Sequence, residues 1–292
     1  MNETMTTTRP LYWSVRRELW ENRSIYVVPL IVAGFVLFGF LVSIGHVVKN
    51  LRGVEALDLV KQRHTVAIPY SMAASMILFT GFIVGMFYCL DALYGERRDR
   101  SVLFWKSLPV SDRTTVLSKL AVPAVVLPLV TFILALITQA VILVISTMAL
   151  MGSGLNPMLL WSRLPLFEMT FVMMYGLTVY VLWFMPIYGW LLLISAWARR
   201  AAFLWAIVPI FALYIVTQVG FGSRWFLLFL RYRFAGPMTE AFTVDAGKGP
   251  VTNLSQLDPL KFLICPGLWL GLLFAAMCLA AAVKLRRNRE PI

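Results

Sequence analysis

The sequence predicts an all-α integral membrane protein with six transmembrane helices. Two compositional observations support this class. Of the 292 residues, 60% are hydrophobic and only 14% are charged, whereas soluble domains average about 45–50% apolar and about 25% charged residues. The charges are also segregated, which leaves long uncharged stretches. Because a helix of about 20 apolar residues crosses a bilayer core about 30 Å thick, we expect these stretches to span a membrane.

Turn residues and charges separate six such stretches. A turn rich in Gly and containing Pro, at 152–157, divides the third from the fourth, and Arg199 and Arg200 form a very tight loop after the fourth. The third and fourth are over-long, which predicts tilted or projecting helices, and Pro186 is expected to kink the fourth. The predicted spans are residues 24–48, 66–90, 120–151, 164–198, 201–221 and 262–283.

These spans form one transmembrane domain, with a bundle at 24–283 between an N-terminal segment, 1–23, and a basic tail, 284–292. The N-terminal segment predicts a short amphipathic helix lying on the membrane surface; the alternative is a juxtamembrane extension of span 1. Its apolar residues Leu11, Val15 and Leu19 repeat at i, i+4 and i+8, and its polar side is supplied by Arg16, Arg17, Glu18 and Arg23.

The basic residues predict the orientation. The side with both termini and the segment 91–119 carries 16 of the 26 Lys and Arg residues, and cytoplasmic loops of membrane proteins collect such residues. We therefore expect a multi-pass protein of a cell (inner) membrane with both termini in the cytoplasm. The same rule accounts for the net charge of +12, which in a soluble protein would suggest nucleic acid; no nucleic-acid partner is expected.

Common catalytic and cofactor signatures are missing from the sequence. It contains no G-x-x-x-x-G-K-[ST] phosphate loop, no G-x-S-x-G elbow and no H-E-x-x-H zinc motif. The three cysteines, Cys89, Cys265 and Cys278, lie inside apolar stretches and are expected to be small buried hydrophobic residues. We expect neither an enzyme nor a bound cofactor.

Polar residues within the spans are few. No ionisable residue is predicted near the middle of a span, which argues against ion-driven transport and suggests that energy enters through a cytoplasmic partner. Gln139 and Gln218 are the mid-span polar groups and could pack between helices or line a pathway. Two G-x-x-x-G pairs predict close helix packing: Gly81 with Gly85, and Gly267 with Gly271.

The polar segment 91–119 has the features of a docking element. Charged residues come first, followed by an apolar group at 102–105. Pro109 then breaks the chain, and Ser111 or Asp112 can cap a new helix that leads into span 3. A short helix with charged and aromatic faces at a sharp bend suits docking onto a soluble partner. The alternative is an interfacial helix that only anchors the loop.

This segment resembles the permease subunits of type-2 ABC transporters. In that family an acidic residue after span 2 precedes a cytoplasmic coupling helix. The sequence Leu-Pro-Val-Ser, a basic residue and a Lys near the start of span 3 then follow. Arg100-Ser101 departs from the Gly-Thr that often precedes the coupling helix. The matching residues are Glu96, Leu108-Pro109-Val110-Ser111, Arg113 and Lys119.

The resemblance implies a transmembrane subunit of an exporter without an ATP-binding motif of its own. A separate ATPase subunit would dock on the cytoplasmic face, and two permease subunits, as a homodimer or heterodimer, would form the pathway in the bilayer. The alternatives are a non-transporting scaffold or sensor subunit and, third, a membrane-embedded enzyme. The residues expected to dock the ATPase are Glu96, Arg97, Arg98, Phe104, Trp105, Pro109 and Arg113.

The longest predicted outer loop, 222–261, contains an apolar stretch from Arg224 to Arg231 that is too short to span a bilayer. We expect an interfacial or re-entrant helix over about 222–234 that shields the outer end of the pathway. The alternative is an extension of span 5.

Overall fold

The computed structural model describes residues 10–52, 58–99, 111–243 and 253–288. Within these residues six helices are long and apolar enough to cross a membrane. The described residues contain no β-strand. The predicted class, an all-α membrane protein with six transmembrane helices, is confirmed. The coupling helix expected between spans 2 and 3 falls largely on 100–110, outside the described residues.

The helices are numbered here in chain order. Two π-helical turns, Val122–Val126 and Val216–Gly220, continue α5 into α6 and extend the end of α9. The bounds are α1 Pro10–Glu21, α2 Ser24–Arg52, α3 Leu59–Ala92, α4 Tyr94–Arg98, α5 Asp112–Ala121, α6 Leu127–Gly152, α7 Met158–Arg163, α8 Leu166–Trp197, α9 Ala202–Ile215, α10 Trp225–Ala241, α11 Pro259–Ile264 and α12 Pro266–Asn288.

Helices α3 and α8 lie at the centre of the bundle. Half of the apolar stretch of each (50%) is buried, against 17% in α2 and α9, which are peripheral. The glycines of α3 make the central contacts close: a Cβ on Gly81 would lie 2.6 Å from Thr131 Cγ2, and a Cβ on Gly85 would lie 3.3 Å from Pro123. The packing role predicted for this glycine pair is confirmed, because any larger side chain would push α6 away.

The helix that contains span 3 is longer than predicted. It runs unbroken from Asp112 to Gly152, 41 residues, although about 20 suffice to cross the bilayer. Its start is set by Ser111, whose hydroxyl accepts a hydrogen bond from the Thr114 amide at 3.1 Å. Of the two caps considered from the sequence, Ser111 is therefore the one used. The first ten residues form α5, which projects from the bundle towards α1.

The sixth span begins later than predicted. The chain from 259 to 288 is divided into α11 and α12, because Cys265 adopts an extended conformation (φ −61°, ψ 118°) immediately before Pro266. Proline disfavours helical geometry in the residue that precedes it. Gly271 lies against Pro186 of α8 and the guanidinium of Arg233, so the second predicted glycine pair also marks a close approach.

Helix α10 is a separate helix that packs against α8 and the start of α12. A break after Gly220, with Gly222 at φ +59°, separates it from α9, so the alternative of an extended span 5 is wrong. The Trp183 indole of α8 donates a hydrogen bond to the Arg233 carbonyl at 2.8 Å, and Phe184 contacts Phe234. The same part of α10 lies against Gly267, one residue after α12 begins, so the helix is separate from span 5 and both the interfacial and the re-entrant interpretation stay predictions.

Candidate functional site: a buried charge cluster at one end of the bundle

Six charged side chains from four helices meet at the end of the bundle where α3 and α8 finish. Three are carboxylates and three are cations, so their charges cancel. We call this group the charge cluster: Arg17 and Glu18 of α1, Glu96 of α4, Asp112 and Lys119 of α5, and Arg286 of α12. The cluster also shows that the described N-terminal and C-terminal helices reach the same end of the bundle.

Glu96 is the centre of this cluster. One of its oxygens, Oε1, lies 2.9 Å from Arg17 Nη2 and 3.0 Å from Lys119 Nζ. The other, Oε2, accepts a hydrogen bond from Arg286 Nη1 at 2.7 Å. Asp112, at the start of α5, accepts a second hydrogen bond from Arg286 at 3.0 Å. Glu96 therefore connects α4 with the next helix, α5, and with α1 and α12, which are remote in sequence.

Glu18 is a second buried carboxylate, and sequence reasoning placed it on the polar face of the N-terminal helix. The structure corrects this: the side chain is 1% exposed. It accepts hydrogen bonds from Lys119 Nζ at 2.9 Å and from the Tyr88 hydroxyl at 2.7 Å. A signal was present, because Glu18 lies three residues after Val15 and next to Leu19, which places it on the inward face of the helix.

The opposite face of α1 is apolar and exposed. Tyr12, Trp13 and Trp20 are 57%, 56% and 70% exposed, and the Arg16 guanidinium stacks over both tryptophans. Aromatic side chains of this kind favour the boundary between headgroups and acyl chains. The amphipathic helix predicted from the sequence is thus present, with Arg17 and Glu18 towards the protein and the aromatic rings, together with Arg16, towards its surroundings.

Burial makes the pairing in the cluster obligatory. Lys119 is 2% exposed and Glu96 is 8% exposed. Removing one partner of a buried ion pair typically costs about 3–5 kcal/mol, since the remaining charge is left unpaired. The cluster therefore holds α1, α4, α5 and α12 in one arrangement, and any movement of one helix must exchange or break these pairs.

The rim of the cluster is formed by α1. Burial alone would lower the pKa of Arg17, but the carboxylates of Glu18, Glu21 and Glu96 outweigh it and the pKa is raised. Glu21, 3.5 Å from Arg17, has a raised pKa because partial burial disfavours its charged form more than Arg17 stabilises it. Arg17 therefore stays charged at any physiological pH.

Arg97 joins α4 to the end of α8. Its Nη2 donates hydrogen bonds to the carbonyls of Ser195 and Ala198 at 2.6 and 2.8 Å, where a positive charge also complements the helix dipole. The Ser195 hydroxyl accepts from the amides of Leu93 and Tyr94 at 3.0 and 2.9 Å. The connection between α3 and α4 is thereby fixed to the last turn of α8.

The residues expected to dock an ATPase are thus divided by the structure. Glu96 and Arg97 are 8% and 6% exposed and engaged inside the protein, so direct contact with a partner does not fit their position. Arg98 is exposed and pairs with Asp99 at 3.0 Å, and Arg113 is exposed on α5. The remaining three, Phe104, Trp105 and Pro109, lie outside the described residues.

The two mid-span glutamines differ. Gln139 of α6 is buried and donates a hydrogen bond to the Tyr70 carbonyl of α3 at 3.2 Å, which favours a packing role. Gln218 lies half-buried in the π-helical turn that ends α9. Of the two roles considered, packing is therefore supported for Gln139, and Gln218 is assigned neither role by its contacts.

A buried ionisable residue lies between α8 and the start of α12, where the sequence predicted only an outer loop. Arg233 of α10 is 9% exposed. Its guanidinium lies 4.9 Å from the ring of Trp183, donates to the carbonyl of that residue and donates to the Gly267 carbonyl at 3.3 Å. Hydropathy could not reveal this, because the residue was assigned to an outer loop rather than to a helix that packs against α8 and α12.

The described residues hold no group of three or more His, Cys, Asp or Glu side chains that could bind a metal ion. The cysteines Cys89, Cys265 and Cys278 are buried free thiols, as predicted. The charge cluster instead joins α1, α4, α5 and α12 through ion pairs. No protein-family model, curated protein or solved structure matches this chain.

Proposed function

We propose that this chain is the transmembrane permease subunit of an ABC exporter, driven by a separate ATPase subunit. The ATPase docks on the end of the bundle that carries the charge cluster, and this end faces the cytoplasm of a cell (inner) membrane. Two permease subunits, identical or different, form the pathway. The sequence support is the resemblance of 96–119 to the coupling segment of type-2 ABC permeases.

The part of the chain expected to hold the coupling helix, residues 100–110, is called here the docking segment. The observation that carries the proposal is that the helices on both sides of it contribute to the charge cluster. On one side, α4 contributes Glu96; on the other side, α5 contributes Asp112 and Lys119. Because α5 continues through the π-helical turn into α6 as one 41-residue helix, a displacement of the segment would be transmitted directly into a membrane-spanning helix.

Arg97 provides a second route. It connects the same segment to the last turn of α8 through Ser195 and Ala198, and α8 is one of the two central helices. A partner that moved the docking segment would therefore act on α3, α6 and α8 together. In this proposal the partner touches exposed side chains such as Arg98 and Arg113, while Glu96 and Arg97 transmit the movement as positioning residues.

The proposal is tested by purifying the chain from its native membranes and measuring ATP hydrolysis by any co-purified ABC ATPase. Arg98→Glu with Arg113→Glu should reduce the yield of the ATPase without changing the stability of the permease, because both side chains are exposed. Glu96→Gln should retain the ATPase but lose ATP-dependent transport in reconstituted vesicles.

A matched control is Lys49→Glu with Lys61→Glu, which reverses two exposed charges at the opposite end of the bundle and should leave the ATPase yield unchanged. Purification of an intact permease with no ABC ATPase would contradict the proposal and favour the scaffold or sensor alternative. Equal ATPase yields from the Arg98/Arg113 variant and the control would contradict the docking surface.

A further inference from the structure

Helix α1 carries an exposed surface that is both aromatic and basic, directly beside a membrane-spanning helix. Only two residues separate the end of α1 from the start of α2, which is long and apolar enough to cross a membrane. This connection is short and hydrogen-bonded, since the Ile25 amide donates to the Asn22 carbonyl at 3.1 Å. A helix joined so closely to a span lies at the membrane boundary. We call its exposed surface the outer face of α1, formed by Tyr12, Trp13, Arg16 and Trp20.

Arg16 is the centre of the outer face. Its guanidinium carbon lies 5.3 Å from the ring centroid of Trp13 and 4.9 Å from that of Trp20. Arg16 forms no ion pair with any residue that the structure describes. The next residue, Arg17, by contrast contacts three carboxylates, at 2.7, 3.5 and 2.9 Å. Since an arginine is always charged in a protein, the outer face presents a positive charge that the described part of the chain does not neutralise.

The two tryptophans leave the hydrogen-bond donors of this face available. The N–H groups of a guanidinium lie in its plane, whereas aromatic rings are attracted to its faces. The indole N–H groups of Trp13 and Trp20 also form no hydrogen bond within the described residues. Indole rings favour the boundary between headgroups and acyl chains, and the guanidinium fork matches a phosphate. The outer face therefore combines apolar contact with donors for a phosphate.

We propose that the outer face of α1 binds the headgroup of an anionic phospholipid, with Arg16 bonded to the phosphate and the indole rings among the upper parts of the acyl chains. Choline lipids are disfavoured because the aromatic rings that could hold a choline ammonium are already covered by Arg16.

The charge of this end of the bundle also favours an anionic lipid. The charge cluster is neutral, and outside it the exposed cations of the described residues outnumber the exposed carboxylates at this end, which are Glu21, Asp91 and Asp99. A basic protein surface next to a membrane is attracted to anionic lipids. Arg23, exposed in the connection to α2 and without an ion pair in the described chain, is placed to add a second cation.

Lipid on the outer face would act on the charge cluster through α1 itself. Glu18 lies two residues after Arg16, is 1% exposed and accepts hydrogen bonds from Lys119 and Tyr88 on the opposite face. A headgroup that holds Arg16 at the membrane boundary therefore also holds Glu18 in the cluster. Anionic lipid should stabilise the docking of α1 on the bundle, and this inference does not depend on the proposed ATPase partner.

The test measures hydrogen exchange of the purified full chain in two kinds of nanodisc, one of phosphatidylcholine and one of phosphatidylcholine mixed with phosphatidylglycerol. Phosphatidylglycerol should slow exchange of the α1 amides about five- to thirtyfold, the range for one or two cations that meet an anionic surface. Amides in the middle of α6 should not change. This comparison needs no variant, so it holds even if a substitution disturbs folding.

Arg16→Gln removes the charge and leaves the inward face of α1 intact. It should reduce the effect of phosphatidylglycerol about fivefold, the part that one cation supplies, and should leave exchange in pure phosphatidylcholine unchanged. Lys49→Gln is the matched control: it removes one exposed cation at the opposite end of the bundle and should keep the full lipid effect.

A soluble phosphate is distinguished from a lipid by adding glycerol 3-phosphate to the phosphatidylcholine nanodiscs, which should not slow exchange in α1. Three results would overturn the proposal. The first is equal exchange of α1 in the two nanodiscs, and the second is an equal lipid effect in wild type and Arg16→Gln. The third is slowing by glycerol 3-phosphate as strong as that by phosphatidylglycerol, since the face would then bind a soluble phosphate.

Discussion

Neutralising Glu96 is the sharpest test of the charge cluster. In Glu96→Gln the cluster changes from three carboxylates and three cations to an excess of one positive charge. Lys119, which is 2% exposed, loses a carboxylate oxygen at 3.0 Å, and Arg286 loses one at 2.7 Å. Removing one partner of a buried pair costs about 3–5 kcal/mol. Because Lys119 keeps Glu18 and Arg286 keeps Asp112, the arrangement of α1 and the end of α12 should be destabilised by about 3 kcal/mol, the low end of that range.

Hydrogen exchange measures this cost locally. A loss of about 3 kcal/mol or more should accelerate exchange of the amides in α1 and in the last turns of α12 by about 100-fold or more, because 1.4 kcal/mol is a factor of ten. Amides in the middle of α6 should be unaffected. Arg98→Gln is the control: Arg98 forms only exposed ion pairs, which contribute about 0–1 kcal/mol.

A double variant separates the lost pair from other effects of the substitution. Glu96→Gln with Arg286→Gln restores equal numbers of buried carboxylates and cations. It should exchange more slowly than the sum of the single variants predicts, with a coupling of about 0.5–3 kcal/mol. Exchange rates in α1 that are the same in Glu96→Gln and in Arg98→Gln would refute the reasoning, because the cluster would then not hold α1 in place.

Two further predictions concern orientation and packing. With Cys89, Cys265 and Cys278 replaced, Arg98→Cys should be labelled by a membrane-impermeant maleimide only from the cytoplasmic side and Asn156→Cys only from the outside; the reverse pattern would contradict the orientation and the docking proposal. Gly81→Ala should lower the thermal stability of the purified protein by about 1–3 kcal/mol through its clash with Thr131, whereas Gly34→Ala in α2, with no atom within 4 Å of its Cβ, should be neutral or stabilising by up to about 1 kcal/mol. Equal stability of the two glycine variants would show that α3 and α6 are not in close contact.

The sequence by itself determined the features that depend on local composition. Hydropathy along the chain predicts six membrane-spanning helices, since each must satisfy its own backbone hydrogen bonds within lipid. The amphipathic helix before span 1, the excess length of span 3 and the cap at Ser111 are equally local, and the structure has all of them. The glycine pairs also predicted close contacts, although not the partners.

Only the tertiary structure decided which charged residues meet. Glu96 and Arg286 are separated by 190 positions, and nothing local distinguishes them from the other residues of two basic, solvent-accessible segments. Likewise, Arg233 is buried only because α10 packs against α8 and α12. The hydropathy of a segment indicates whether it is stable in lipid or in water. It does not indicate which other helices the segment contacts, because those contacts depend on packing between segments that are far apart in the sequence.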